Sequence, residues 1–495
     1  MSSRARELII PSLYFLLILI LFAVHFLIAI SRPLWLDEII TLVVSQGASP
    51  FQLVKDFFNG SDTNPPLYFI VVTVLQSICS NNIFLLKVFS MITAFSGLLV
   101  LFFYFKTRVN RESLYLLLLL LTTSSFFSQF ILFEIRPYAL YFTLSTIIIV
   151  YYGKLIAVSK FDIRHVISFG VLSTLFLYTH YFSIIYIITL IIIELSVLSE
   201  SKNKSVLAAM ILALILYFPW SFAITNQLSA VHYRTWQLPR DMFQLMMLPV
   251  IYLGYLNLLI LLMGLILLFI WGRFRLNDVK SFLGNKFNIV LIVFTVVPYI
   301  AYAISMILPF GIVERYFVPS FVSSVVLLLF ILDRVFVTRR KLVISIILLS
   351  VAYSVYKLDK LSKINDVMVD EIQKKMQLCS EGLPVVCESP HKYFRFQYYA
   401  QKMGYSNYYL LLDEKSANDP NNIKNASFDY YWISSMKKYY PLKNIIEWNI
   451  FKTKHSEFIY IDEKDRMFDK EIKNQYPNST FIHIGENVYR VKTHN

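Results

Sequence analysis

Arg32-Pro-Leu-Trp-Leu-Asp37-Glu38-Ile-Ile-Thr follows directly on the first long apolar run of the 495-residue chain. Two adjacent carboxylates at a membrane mouth could take the proton from a hydroxyl as it attacks, a contribution of roughly 10²–10⁴-fold for a well-placed base. They could equally be interfacial charge, which costs little at the headgroup level. Two neighbouring features favour chemistry. Trp35 is an interface anchor, and Asn64-Pro65-Pro66-Leu67-Tyr68-Phe69 restarts the membrane with a proline-fixed backbone. A loop held this way keeps its acids close to the bilayer surface.

Three further stretches carry polar groups inside apolar sequence. In Phe126 to Tyr141, Glu134 and Arg136 interrupt the apolar residues just before Pro137 and Tyr138. An arginine at the bilayer centre costs about 2.5–3.5 kcal/mol on insertion scales and less near an interface. Arg136 is therefore either the partner of Glu134 in a tight turn or part of an anion site, since a guanidinium matches phosphate geometry. His180 lies in Tyr178-Thr179-His180-Tyr181-Phe182, where it fits a buried hydrogen-bond network or a wall on which a sugar stacks. Glu314-Arg315-Tyr316-Phe317-Val318-Pro319 again sets an arginine at a membrane edge, and Arg234 could join the same cationic group. Glu194, near an inner helix end, is expected to snorkel and to have no role.

These side chains have to be positioned by membrane helices. Hydrophobic residues make up 57% of the chain and its mean hydropathy is +0.58, beyond what a soluble protein of this length reaches. Residues 357–495 carry 39 charged side chains, as many as the 356 residues before them. The organisation is thus a membrane body, 1–356, and a water-soluble tail, 357–495. The net charge of +14 does not point to nucleic acid. Eighteen basic residues fall at the N-terminus or in alternate short gaps between spans, against six in the remaining gaps. That asymmetry predicts a cytoplasmic N-terminus. The first apolar stretch is too long for a cleaved signal peptide and reads as a retained helix.

Twelve candidate spans emerge, roughly 8–30, 65–80, 83–106, 113–135, 137–153, 165–181, 183–198, 205–222, 246–271, 288–309, 317–333 and 342–356. The charge pattern requires an odd number of crossings, so the expectation is 11–13 helices with the tail outside. The first outer loop, 31–64, should hold amphipathic helices over 37–58, with Ile40, Val43, Val44, Phe51, Val54, Phe57 and Phe58 toward the membrane. Strand-like runs at Val385–Cys387, Tyr430–Ile433, Ile445–Ile450, Phe458–Ile461, Phe481–Ile484 and Val488–Val491, with helices near 361–378 and 390–402, predict a small α/β or α+β tail domain. Cys379 and Cys387 could form a small-loop disulfide in an extracytoplasmic tail. No Cys or His spacing suits a metal site. With only 13 glycines there is no glycine-rich phosphate loop, so a nucleotide donor is excluded in favour of one that lives in lipid.

Taken in order, Asp37-Glu38, Pro65-Pro66-Leu67-Tyr68, Arg136-Pro137-Tyr138-Ala139-Leu140, Thr179-His180-Tyr181-Phe182 and Arg315-Tyr316-Phe317-Val318-Pro319 resemble the motifs of the GT-C superfamily of polytopic glycosyltransferases. The likeness is to its protein-mannosyltransferase and aminoarabinose-transferase branch. It implies inverting transfer of a sugar from a polyprenyl-phosphate carrier to an acceptor hydroxyl on the extracytoplasmic face of a plasma (inner) membrane. Asp37 would be the base, and Glu38 would orient it, bind acceptor or help hold a divalent cation. Arg136 and Arg315 would bind donor phosphate, with Tyr138, His180 and Tyr316 around the donor. Many members have His where this chain has Asn64, an amide that cannot act as acid or base. The competing reading is a lipid-linked-sugar transporter without transferase activity. The motifs identify neither the sugar nor the acceptor, which can be a glycan, a lipid or a protein.

Overall fold

The computed structural model describes residues 3–493 apart from 232–241, 254–281 (Leu262 excepted), 306–312, 413–432, 462–471 and gaps of at most four residues. The chain is predominantly helical, with a small sheet near its C-terminus. Contacts divide it into two compact units. One comprises residues 1–31, 64–221 and 237–362, and the other comprises 32–63, 222–236 and 363–495.

The first unit is a membrane bundle. Among the described residues five helices are long and apolar enough to cross a bilayer: Ile83–Phe105, Tyr138–Ala157, Lys204–Gln227, Lys286–Ser305 and Glu314–Asp333. Leu67–Cys79, Ile163–Leu177 and Ser183–Leu195 are shorter apolar helices. Starts are set by side chains that satisfy the first free N–H groups. The Asn82 side chain accepts from Phe84 and Leu85, and the Asp162 side chain accepts from Arg164. Lys87 is a charge inside a span, and it is 3% exposed. Its ammonium donates to the carbonyls of Ala29 and Ile30, the C-terminal end of helix Ser3–Ser31, where the helix dipole favours a cation. Close helix packing depends on small residues. A Cβ at Gly170 would come within 2.9 Å of Leu212 Cδ2 and 3.2 Å of the Ala209 carbonyl, so Ile163–Leu177 meets Ser201–Tyr217 nearly backbone to backbone.

Glu194 departs from expectation. It does not snorkel; its carboxylate is fully buried, accepting from the Tyr152 hydroxyl at 2.8 Å and from Lys286 Nζ at 2.7 Å. The charge lies away from an aqueous edge, and neighbouring helices supply its partners instead.

The second unit joins the 32–63 loop to the tail. The tail holds a six-stranded mixed sheet in the order β3-β2-β1-β4-β6-β5, with β1 Val385–Cys387, β2 Tyr408–Leu412, β3 Ile445–Glu447, β4 Glu457–Ile461, β5 Thr480–Gly485 and β6 Val488–Lys492. The first four strands are parallel and the last two antiparallel. One core cluster packs Val386, Leu411, Phe458, Tyr460 and Val491 of the sheet against Trp448 and Phe451. The sequence reading missed β2, Tyr-Tyr-Leu-Leu-Leu, because a short continuous apolar run has no diagnostic period. The run 445–450 is a strand only to Glu447; Trp448 opens a helix to Lys454. Tyr430 to Trp432 lie outside the described residues, and Ile433 is helical. The last candidate span and the helix expected at 361–378 are one continuous 39-residue helix, Arg340–Leu378. Cys387 is buried with its Sγ 3.6 Å from the Tyr409 carbonyl; Cys379, the other cysteine of the suggested disulfide, lies outside the described residues.

The loop, expected to hold one or two amphipathic helices, forms two, Leu36–Ser45 and Pro50–Phe58. The first does not simply lie on a bilayer: it packs against tail helix Pro390–Lys402. The second leaves Phe51 80% exposed, the apolar face expected of an interfacial helix. Tail tyrosines secure both ends of the loop. Tyr399 Oη accepts the Leu34 N–H at 2.9 Å, Tyr439 Oη donates to the Asn59 carbonyl, and Tyr440 Oη is 3.0 Å from Ser61 Oγ. The side chains of Asn226 and Gln227 take up the carbonyls of Phe58 and Phe57. Gly60, at φ +90°, makes the turn that follows with backbone 3.2 Å from where its Cβ would be.

Tyr399→Phe should leave the Leu34 amide without its acceptor, at a cost of about 1–3 kcal/mol for a buried donor. Hydrogen-exchange mass spectrometry over peptides spanning 32–45 should show exchange faster by roughly tenfold. Unchanged protection would show that this tyrosine does not hold the loop.

Candidate functional site

Three turns in the membrane unit bring the expected donor-site residues together. The first is 134–137. It follows a π-helical segment, Phe127–Leu132, a wide turn often found at functional sites. Pro137 then opens helix Tyr138–Ala157, its carbonyl accepting the Tyr141 N–H. The second turn, 178–182, joins Ile163–Leu177 to Ser183–Leu195, and its Tyr178 carbonyl accepts the N–H of Leu67. The Pro65-Pro66-Leu67-Tyr68 stretch is thus hydrogen-bonded to the stretch that carries His180. The third is the 3₁₀ turn Glu314–Phe317.

His180 lies at the centre. Its ring stacks on Tyr141 at 4.9 Å and 15°, and lies 6.1 Å from Tyr138 and 5.1 Å from Tyr316. The Arg315 guanidinium lies over the Tyr138 ring at 5.8 Å, within cation–π range. Arg136 and Glu134 are both buried. His180 sits in the turn outside the helices, where burial first and the Arg136 and Arg315 guanidinium groups next push its pKa down to about 3. The imidazole is therefore neutral at any working pH. The Phe182 N–H points at Nδ1 at 3.3 Å, which leaves the proton on Nε2 as a donor. Of the two readings open for His180, the geometry joins both: a hydrogen-bonded ring in an aromatic wall. Its neighbourhood holds two arginines, the buried Glu134 carboxylate, a neutral donor and several aromatic faces, groups able to bind a phosphate and to pack on a sugar.

The acidic pair belongs to the other unit, and its two carboxylates differ. Glu38 is fully buried; Oε2 accepts from Arg32 Nη2 at 2.6 Å and from the Trp35 N–H at 3.1 Å. Glu38 is the third residue of its helix and reaches back to the N-cap backbone, so its charge is spent on closing the helix start. Asp37 is half-buried, and its carbonyl holds the Thr41 hydroxyl. Burial raises the Tyr399 pKa, so the hydroxyl beside Arg32 and Glu38 stays protonated. Sequence reasoning did not single out Tyr141 or Tyr399. Tyr141 could have been found, because it lies one turn along the helix from Tyr138 and faces the same side. Tyr399 could not, since 365 residues separate it from Leu34. Arg234 lies outside the described residues. Among the described residues no three or more His, Cys, Asp or Glu side chains group as a metal site.

No family model and no curated protein sequence matches the chain. Its fold does match solved structures. A crystal structure of ArnT from Cupriavidus metallidurans bound to undecaprenyl phosphate aligns at a TM-score of 0.62 with 9% identity, over 96% of this chain and 97% of that one. The apo structure of the same protein gives the same score and identity over 99% and 98%. The chain therefore has the GT-C-like fold of a polytopic membrane protein, with the α/β tail included in the match.

Glu38→Ala should remove the partner of a half-buried arginine and the N-cap acceptor together, destabilising the loop by about 1–3 kcal/mol. Glu38→Gln keeps an acceptor for the Trp35 N–H and should cost less. Thermal unfolding of the purified protein in detergent would rank the two variants, and equal losses would refute the capping role.

Proposed function

We propose that this protein is an inverting glycosyltransferase that takes a sugar from a polyprenyl-phosphate carrier. The observation that carries the proposal is the gathering of Arg136, Tyr138, His180, Arg315 and Tyr316 from three separate turns, in a chain with the fold of a transferase known in complex with undecaprenyl phosphate. In this reading Arg136 and Arg315 bind the donor phosphate and neutralise its charge as it leaves, a stabilisation of several kcal/mol in comparable sites, roughly 3–4 for a single donor. Neutral His180 donates to a donor oxygen, and the tyrosine faces pack against the sugar.

The acceptor hydroxyl oxygen attacks the anomeric carbon as the bond from that carbon to the phosphate oxygen breaks. The electron pair leaves with the polyprenyl phosphate, and the hydroxyl proton passes to the Asp37 carboxylate. Glu38 acts as a positioning residue through the helix cap and Arg32. The same reading sets the N-terminus in the cytoplasm and the tail outside a plasma (inner) membrane, where the carrier is the available donor. Transport without transfer is not favoured, because the fold is shared with a transferase.

Purified protein given radiolabelled polyprenyl-phosphate sugar and candidate acceptors should release polyprenyl phosphate and label an acceptor. Asp37→Asn should slow transfer by roughly 10²–10⁴-fold with donor binding intact. Transfer at the wild-type rate by this variant would remove Asp37 from the mechanism. Arg136→Ala and Arg315→Ala should each weaken donor use about tenfold or more, as expected for loss of a charge-assisted hydrogen bond. Movement of the sugar lipid across vesicle bilayers with no consumption would establish the transporter instead. A cysteine in the tail should react with an impermeant reagent in intact cells; labelling only after lysis would reverse the orientation.

A further inference from the structure

A cavity of about 760 Å³ lies in the membrane unit, apart from the His180 cluster. Helix Tyr138–Ala157 links the two places: Tyr138 is at the cluster, while Gly153, Ile156 and Ala157 line the cavity. At a rise of about 1.5 Å per residue this helix is roughly 30 Å long, so the two sites lie at opposite ends of the bundle. Thirty ångströms is about the hydrocarbon thickness of a bilayer. The cavity volume is that of a pocket for a ligand of some hundreds of daltons.

Its walls combine apolar rings with a few polar groups. Phe105 and Phe330 meet edge to face at 5.8 Å and both line it, beside Leu327 and Ile292. Arg108 lies with its guanidinium over the Tyr104 ring at 4.0 Å and gives one N–H to the Tyr104 carbonyl at 2.6 Å. Its remaining N–H groups have no partner among the described residues. Asp333 accepts both the backbone and side-chain N–H of Asn110 on Oδ1, at 2.7 and 2.9 Å, and Oδ2 has no partner among the described residues. Tyr104 and Asn288 are each 7% exposed and also line the cavity. Of the lysines that flank this lining in sequence, Lys286 is taken up by buried Glu194, Lys106 lies over the Phe103 ring and Lys154 is exposed. Among the residues that line the cavity, Arg108 is the one cation and Asp333 the one anion, with apolar rings beside them.

We infer that this cavity binds the headgroup of a zwitterionic amino-phospholipid. The phosphate sits on Arg108, the primary ammonium on Asp333 Oδ2, and the acyl chains run along Phe105 and Phe330. A purely anionic phospholipid would set its second polar group beside Asp333 without an ammonium to pair with that carboxylate. A quaternary amine would keep the charge but lose the N–H donors that Asp333 accepts from. The site is independent of the sugar-transfer reading and would survive its failure.

The test uses the full-length purified protein and native mass spectrometry with phosphatidylethanolamine, phosphatidylglycerol and phosphatidylcholine, plus soluble glycerophosphoethanolamine as competitor. The wild type should retain phosphatidylethanolamine about tenfold better than either other lipid, the effect of one charge-assisted hydrogen bond. Asp333→Asn still accepts from Asn110, and it should bring phosphatidylglycerol to parity while leaving total lipid binding unchanged. Arg108→Ala should weaken all three lipids about tenfold, and Arg108→Lys should restore part of the loss. Ala157→Trp, at an exposed position on the lining, should fill the cavity and displace lipid without lowering the melting temperature of the lipid-free protein. Equal binding of the three lipids by the wild type, or unchanged binding by Arg108→Ala, would overturn the proposal. So would competition by glycerophosphoethanolamine at concentrations similar to the lipid, which would assign the cavity to a soluble phosphate ester.

Discussion

Glu38 carries a carboxylate with no exposure to solvent, and the loop 32–63 takes its shape from what that charge requires. A buried carboxylate without partners costs several kcal/mol. Here Arg32 and the Trp35 N–H surround one oxygen, and in doing so they fix where the helix Leu36–Ser45 begins. The direction of the segment bearing Asp37 follows from that start. Tyr399, Tyr439 and Tyr440 then hold the loop's two ends to the tail, which gives the soluble sheet a mechanical purpose beyond solubility.

The same rule, that a charge in apolar surroundings must be given partners, explains the rest of the bundle. Lys87 ends on the carbonyls that terminate the first helix, and Glu194 is closed off by Tyr152 and Lys286. Each removes a charge from chemical consideration. Arg136 and Arg315 stand apart, because they come with a neutral histidine and aromatic faces. Burial first, and the two positive charges next, lower the pKa of this imidazole, so His180 stays neutral beside them.

Much of this was legible in the chain. The split between an apolar body and a charged tail appears in the placement of charges, and helix Pro390–Lys402 and strands β1, β4, β5 and β6 follow from apolar period and turn residues. The four motifs with charged or histidine side chains stand out in the sequence because such groups are rare in apolar stretches. Strand β2 was missed, and β3 was drawn too long, because short apolar runs do not distinguish strand from helix. Glu194 was misread because a helix end looks the same in sequence whether the next helix covers it or water does.

The sequence by itself determined that the chain is a multi-pass membrane protein with a small sheet near its C-terminus, and it named Asp37, Glu38, Arg136, Tyr138, His180, Arg315 and Tyr316 as the candidates for chemistry. These are properties of composition, period and local motif, which neighbouring residues encode. Tertiary structure alone decided that the two adjacent acids have different work, one closing a helix and the other left half-buried. It also decided that His180 rests on Tyr141 and that residues 365 apart hold the acidic loop in place. Those outcomes depend on which side chains meet across turns far apart in the chain, and no local pattern records that.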